Sequence, residues 1–131
     1  MAAKRIGRYY LGIDVGGTKI LAGLFDRSLN LLAKWKLKTK AQRGGEEVIE
    51  RIVRAARELV EYQDLHMSDI RSVGIGVPGI VINGRVYKAY NLHWDEVPIG
   101  TILRRRLRVP VYADNDCNLF TLGIHRVEYR S

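Results

Sequence analysis

The residues best suited to chemistry lie near the start of the chain. Leu11-Gly12-Ile13-Asp14-Val15-Gly16-Gly17-Thr18-Lys19 sets one carboxylate before a glycine pair, and Ile20 to Phe25 resumes the apolar pattern. Backbone N–H groups freed in a tight turn can cradle phosphate oxygens. Glycine lets the backbone approach the anion closely, and the Thr18 hydroxyl adds a donor. Asp14 is placed to reach a phosphate-bound magnesium ion, which takes oxygen ligands. The same residues also suit a plain β-hairpin whose turn needs two glycines. Lys19 ranks below the backbone amides as a phosphate ligand, because no Gly-x-x-x-x-Gly-Lys pattern surrounds it. It can equally be a surface residue of the second strand.

A second polar group, Asp114-Asn115-Asp116-Cys117-Asn118, follows the strand-like Val109 to Ala113. A carboxylate just beyond a buried strand, at the start of a helix, can point into a cleft, and the helix N-terminus favours its ionised form. Asp114, Asn115 or Asp116 can equally cap that helix. His93 has no partner at metal-ligand spacing, and His66 and His125 stand alone as surface candidates.

These groups need a scaffold, and the apolar spacing supplies one. Tyr9 to Val15 reads as a buried strand and Lys19 to Asp26 as its partner across the glycine turn. Leu31 to Thr39 alternates, with Lys34, Lys36 and Lys38 on one face, as a half-buried strand does. Gln42 to Gly45 reads as a loop. Glu46 to Gln63 repeats Ile49, Ile52, Val53, Ala56, Leu59 and Val60 at helical spacing, with Glu46 and Glu47 where the helix dipole favours negative charge. Ser72 to Val77 is a further buried strand. Ile80 to Tyr87 is a hairpin around Asn83-Gly84, a strong turn signal. Asn91 to Asp95 reads as a loop, Pro98 to Leu107 as a short helix and Val109 to Ala113 as a strand. Asp116 to about Arg130 reads as a terminal helix.

Composition narrows the class. The 131 residues, 47% hydrophobic and 27% charged, suit one globular domain able to bury most of its apolar surface. No apolar run approaches the roughly 20 residues of a membrane span, and no signal-peptide pattern opens the chain, so a cytoplasmic site is expected. The single Cys117 excludes an internal disulfide and a Cys-cluster zinc site within the chain. The net charge of +8 raises nucleic acid as a partner, but the basic residues are dispersed and that reading ranks last. The densest run, Arg104-Arg105-Arg106-Leu107-Arg108, is either a solvated helix face or a contact for phosphate or an acidic partner.

Four ordered segments together resemble the motifs of the actin-like sugar kinases of the ROK family, which includes bacterial glucokinases. They are the Asp14 turn, Val73-Gly74-Ile75-Gly76-Val77-Pro78-Gly79, Asn91-Leu92-His93-Trp94 with Val97-Pro98, and Tyr112-Ala113-Asp114-Asn115-Asp116-Cys117-Asn118. The resemblance implies an α/β, ribonuclease-H-like (actin-like ATPase) lobe. Its mixed sheet would have three antiparallel N-terminal strands and flanking helices. It further implies ATP with Mg2+ at Asp14, Gly16, Gly17, Thr18 and Lys19, with Asp14 reaching the metal through phosphate. A hexose-type sugar would be held by Gly79, Asn91, Asn115 and Asp116, with Asp116 as the catalytic base. Gly79 and Asn91 can also be ordinary turn residues.

The resemblance covers nearly the whole chain but only the first part of such a kinase. Residues 1–131 are therefore expected to be a single N-terminal lobe without the second lobe, where the family's zinc site lies. Such a lobe would phosphorylate sugar only with a partner chain supplying the rest, or would self-associate. The alternative is a non-catalytic sugar-binding or regulatory protein, or a vestigial fragment. Beyond Asp116 the family continues with small residues and then Gly-Glu. Here Leu119, Phe120, Leu122, Ile124 and Val127 stand instead, more apolar surface than one buried face needs and suited to an interface.

Overall fold

The N-terminal apolar runs form an antiparallel meander, seen in a computed structural model that describes residues 7–115. Strands β1 (Tyr9–Val15), β2 (Lys19–Phe25) and β3 (Leu31–Lys38) pair in sequence order. Strands β4 (Ile70–Gly76) and β8 (Val111–Asp114) then add parallel to β1, giving the order β3-β2-β1-β4-β8. A small antiparallel sheet of β5 (Ile80–Ile82), β6 (Arg85–Ala89) and β7 (Trp94–Val97) branches off between β4 and β8.

Helix α1 (Gly45–Tyr62) lies over β1, β2 and β3, and α2 (Ile99–Leu107) packs on β8. Val48, Ile52, Val53, Ala56, Leu59 and Val60 of α1 are buried against Leu11, Ile13, Val15, Ile20 and Ala22. Burying each large aliphatic side chain contributes about 1.5–3 kcal/mol, so this helix–sheet layer is the main source of stability. Arg51, on the same helix, is also buried and donates from Nε to the Lys38 carbonyl at 2.5 Å.

The expected Asn91 to Asp95 loop is corrected. Tyr90–Leu92 is a 3-10 turn, His93 adopts a left-handed φ of 58°, and the chain enters β7 at Trp94. Asp95 and Glu96 are poor strand formers. The strand is held instead by pairing with β6, by the Arg85–Glu96 ion pair at 3.1 Å, and by Trp94. The Trp94 side chain is 1% exposed and its Nε1 donates to the Gly45 carbonyl at 2.9 Å, fastening the small sheet to the start of α1. The expected Gln42 to Gly45 loop is in part a 3-10 turn, Ala41–Arg43. The arginine run on α2 is partly spent within the fold. Arg104 Nη2 donates to the Val111 carbonyl at 2.8 Å, and Arg106 makes a two-pronged contact with Glu50. The expected terminal helix, with Asp116 and Leu119 to Val127, lies outside the described residues.

Candidate active site

Strand register decides what the site contains. Asp14 pairs with Gly76 on β4, and Gly76 pairs with Asp114 on β8. Residues in register share a sheet face, so the two carboxylates stand on one face at the carboxyl ends of the parallel strands, about 10 Å apart by strand spacing. Ligands of open α/β sheets bind at these ends. Asp14 is exposed between buried Ile13 and Val15, which point toward α1.

The glycine turn that follows is braced from β3. Gly16 N–H donates to the Lys19 carbonyl at 2.8 Å, and Thr39 N–H donates to the Thr18 carbonyl at 2.9 Å. The wholly buried Thr39 hydroxyl donates to the Gly16 carbonyl at 2.7 Å. Thr39 carries no signal in the sequence: a threonine closing a strand is ordinary. Thr18 and Lys19 are exposed at the turn.

The candidate sugar residues converge on the same end. A Cβ added to Gly17 would lie 3.2 Å from Asn91 Nδ2, so the glycine turn and the Asn91 turn lie side by side. Gly79 has φ +101°, and a Cβ there would sit 2.6 Å from the Tyr87 carbonyl oxygen. Only glycine fits that backbone. The Gly79 carbonyl accepts a hydrogen bond from Asn115 Nδ2, and Asn115 N–H donates to Asp114 Oδ1 at 2.7 Å. That leaves the Asn115 side-chain oxygen as an acceptor for a hydroxyl. Asp114 was visible in the sequence only as a possible helix cap; its register with Asp14 required the fold. Trp94 is a core residue, while His93 is exposed. Asp116 lies outside the described residues.

No group of three or more potential metal ligands occurs among the described residues. Magnesium delivered with phosphates needs only one or two protein carboxylates and keeps several waters, so the exposed Asp14, with Asp114 about 10 Å away, fits that mode. A cleft of about 780 Å³ lined by Arg57, Glu61, His66, Arg106 and Arg108 lies toward the opposite end of the sheet, away from every one of these groups.

The model of the ROK family matches residues 10–131. This chain belongs to the ROK family. It is 32% identical over 118 residues to a glucokinase of Halalkalibacterium halodurans, covering 88% of this chain and 36% of that protein. It is 36% identical over 116 residues to an N-acetyl-D-glucosamine kinase of Citrobacter koseri, covering 87% and 37%. Among solved structures, a ROK family glucokinase from Streptomyces griseus in complex with glucose and AMPPNP superposes with a TM-score of 0.71 and 31% identity, covering 84% of this chain and 34% of that one. The chain thus spans about a third of the length of these relatives. Its fold is the mixed α/β, actin-like ATPase fold of ROK sugar kinases.

Proposed function

We propose that this chain is the N-terminal lobe of a ROK-type, ATP-dependent sugar kinase that phosphorylates a hexose hydroxyl once a second lobe, carried by a partner chain, completes the cleft. The observation that carries the reading is the meeting of Asp14, Gly17 and Asn91 with Gly79, Asn115 and Asp114 at the carboxyl ends of β1, β4 and β8.

The backbone amide of Gly17 and the Thr18 hydroxyl hold phosphate oxygens; Gly16, whose own N–H is bonded to the Lys19 carbonyl, lets the backbone come close to the anion, and Lys19 adds charge from the rim. Asp14 would hold Mg2+ through the phosphates, and the ion would supply neutralisation of charge on the transferring group. Asn91 and Asn115 orient sugar hydroxyls, and Gly79 keeps that wall close to the sugar. Asp116 accepts the hydroxyl proton as the oxygen attacks the terminal phosphorus and ADP leaves. Catalysis here is positioning plus charge stabilisation, and one wall of a cleft supplies neither fully. Among the described residues no helix is long and apolar enough to cross a membrane.

The test is reconstitution with a chain carrying the second lobe, identified by pull-down from the native host. Asp116→Ala should abolish sugar-dependent ADP formation while leaving thermal melting unchanged. Unaltered turnover in that variant would remove Asp116 from the mechanism.

A further inference from the structure

The Asn91 carboxamide stands beside the glycine turn with no bond of its own to hold it there. Its Nδ2, Cβ and Cγ lie 3.2, 3.7 and 3.8 Å from where a Gly17 Cβ would sit. Asn91 is exposed, and among the described residues its side chain makes no hydrogen bond. Its place is therefore set by the turn that carries it. Tyr90–Leu92 closes through the His93 N–H, which donates to the Tyr90 carbonyl at 3.0 Å. His93 then takes a left-handed φ of 58°, and the chain turns into Trp94. A residue other than glycine persists in that conformation when its surroundings fix it.

Two buried side chains do the fixing, Leu92 at 0% and Trp94 at 1% exposure. Leucine packing has no preferred direction, whereas Trp94 Nε1 donates to one acceptor, the Gly45 carbonyl 2.9 Å away. The start of α1 is shaped for that contact. A Cβ on Gly45 would stand 2.7 Å from Trp94 Cδ1 and 2.8 Å from the His93 carbonyl oxygen. Gly44 and Gly45 leave the helix without a side-chain cap, although Ser, Thr, Asn or Asp at the cap would stabilise it more. Core packing alone would be served by any apolar ring of similar volume. A helix start bare of side chains, with a carbonyl bonded to the indole N–H, suits tryptophan alone among the apolar rings.

These contacts close a ring. From Gly16 it passes through the Thr39 hydroxyl, the Ala41–Arg43 turn, Gly45, Trp94 and Asn91, and returns to Gly17. We propose that Trp94 is a positioning residue: through Gly45 it fixes the Asn91 carboxamide against Gly17, and with it the spacing between the sugar and the transferring phosphate. The inference rests on the sugar and phosphate roles proposed for those two residues. A misplacement of about 1 Å between reacting groups can cost about 100-fold in rate, so the tie acts on the reaction without touching either substrate.

Amide NMR of the full chain, free and titrated with magnesium pyrophosphate, tests this. In the parent, the Asn91 side-chain amide should show an Overhauser contact to Gly17 Hα and should shift together with the Gly17 amide. Trp94→Phe keeps a buried ring and removes the N–H donor. The ratio of seated to unseated Asn91 should then fall about fivefold, the factor set by one hydrogen bond, weakening both the contact and the Asn91 shift. Gly45→Ala keeps the tryptophan but displaces it, and should act alike. Val86→Ala opens a cavity in the same small sheet away from the tie, and should leave both signals as in the parent. Asn91 signals unchanged in either Trp94→Phe or Gly45→Ala, or weakened equally by Val86→Ala, overturn the proposal. So does a parent in which the Gly17 amide responds and Asn91 does not. If pyrophosphate moves neither residue in the parent, the phosphate reading of the turn fails. The Overhauser contact then decides alone: its loss in Trp94→Phe upholds the tie, and its persistence overturns it.

Discussion

Thr39 offers the sharpest test of how the Asp14 glycine turn is held. Its hydroxyl is fully buried and donates to the Gly16 carbonyl at 2.7 Å, while its backbone N–H holds the Thr18 carbonyl at 2.9 Å. Thr39→Val keeps the shape and the backbone bond and removes only the hydroxyl donor. The Gly16 carbonyl then loses a partner, which costs about 1–3 kcal/mol for a buried group. Gly16 is itself half-exposed, so water can replace part of that bond and the lower end, about 1–1.5 kcal/mol, applies. Thr39→Ser makes the opposite cut: it keeps the donor and deletes a buried methyl, at about 1 kcal/mol. The two variants should therefore lose similar stability by urea denaturation. They should differ in function. Pyrophosphate-induced NMR shifts at Gly16 and Gly17 should survive in Thr39→Ser and shrink in Thr39→Val, because only the valine frees the turn. Equal shifts in both variants, or a urea midpoint unmoved in Thr39→Val, would refute the claim that this hydroxyl sets the turn.

Gly79→Ala forces a side chain onto φ +101° and puts its Cβ 2.6 Å from the Tyr87 carbonyl oxygen, so it should cost about 2–4 kcal/mol in urea denaturation, and a loss below about 1 kcal/mol would contradict that geometry. Gly17→Ala meets only the end of the Asn91 side chain at 3.2 Å; its stability should stay within about 1 kcal/mol of the parent while pyrophosphate binding weakens, and undiminished binding would argue against amide contact at that residue. The Glu58 carboxylate is held below its ordinary value, chiefly by its hydrogen bond from Arg54 and further by the Trp35 Nε1 donor at 2.7 Å, against the opposing effect of burial. A depressed carboxylate contributes stability above its unfolded value, near 4.3, and loses it as pH falls through the folded value. The stability gap between the parent and Glu58→Gln should accordingly be present at neutral pH and close below about pH 4; a gap independent of pH would mean that Glu58 acts through packing alone.

The strands that carry the site were legible because they are apolar or strictly alternating. Tyr9–Val15, the Asn83-Gly84 hairpin and the basic face of β3 fall where period and turn chemistry put them. The β7 strand was not legible, because Asp95 and Glu96 carry no strand signal and the segment is fixed by partners distant in sequence, the Gly45 carbonyl and Arg85. The same limit applied to the site. Asp14 and the glycine pair announce themselves by local spacing. Thr39 and Asp114 do not, since what gives each its place is the register of a neighbouring strand. Gly79 and Asn115 stood as separate candidates in the sequence, and only folding shows one donating to the other.

The arrangement also bears on why a single wall would be insufficient for the proposed reaction. Asp14, Thr18, Asn91, Asp114 and Asn115 are all exposed along the strand ends, whereas the 780 Å³ cleft lies among Arg57, His66 and Arg108. Charge stabilisation of a transferring phosphoryl group is strong where donors are fixed and water is excluded, and weak where the same donors face bulk solvent. The enclosure of the Asp14 end must then come from outside residues 7–115. On the proposed reading it comes from the second lobe, and the donors described here set where the phosphate and sugar lie while that lobe sets how dry the site becomes. Anion binding by this chain alone would be weak and steeply salt-sensitive, and on completion of the cleft its salt dependence would fall as its affinity rose.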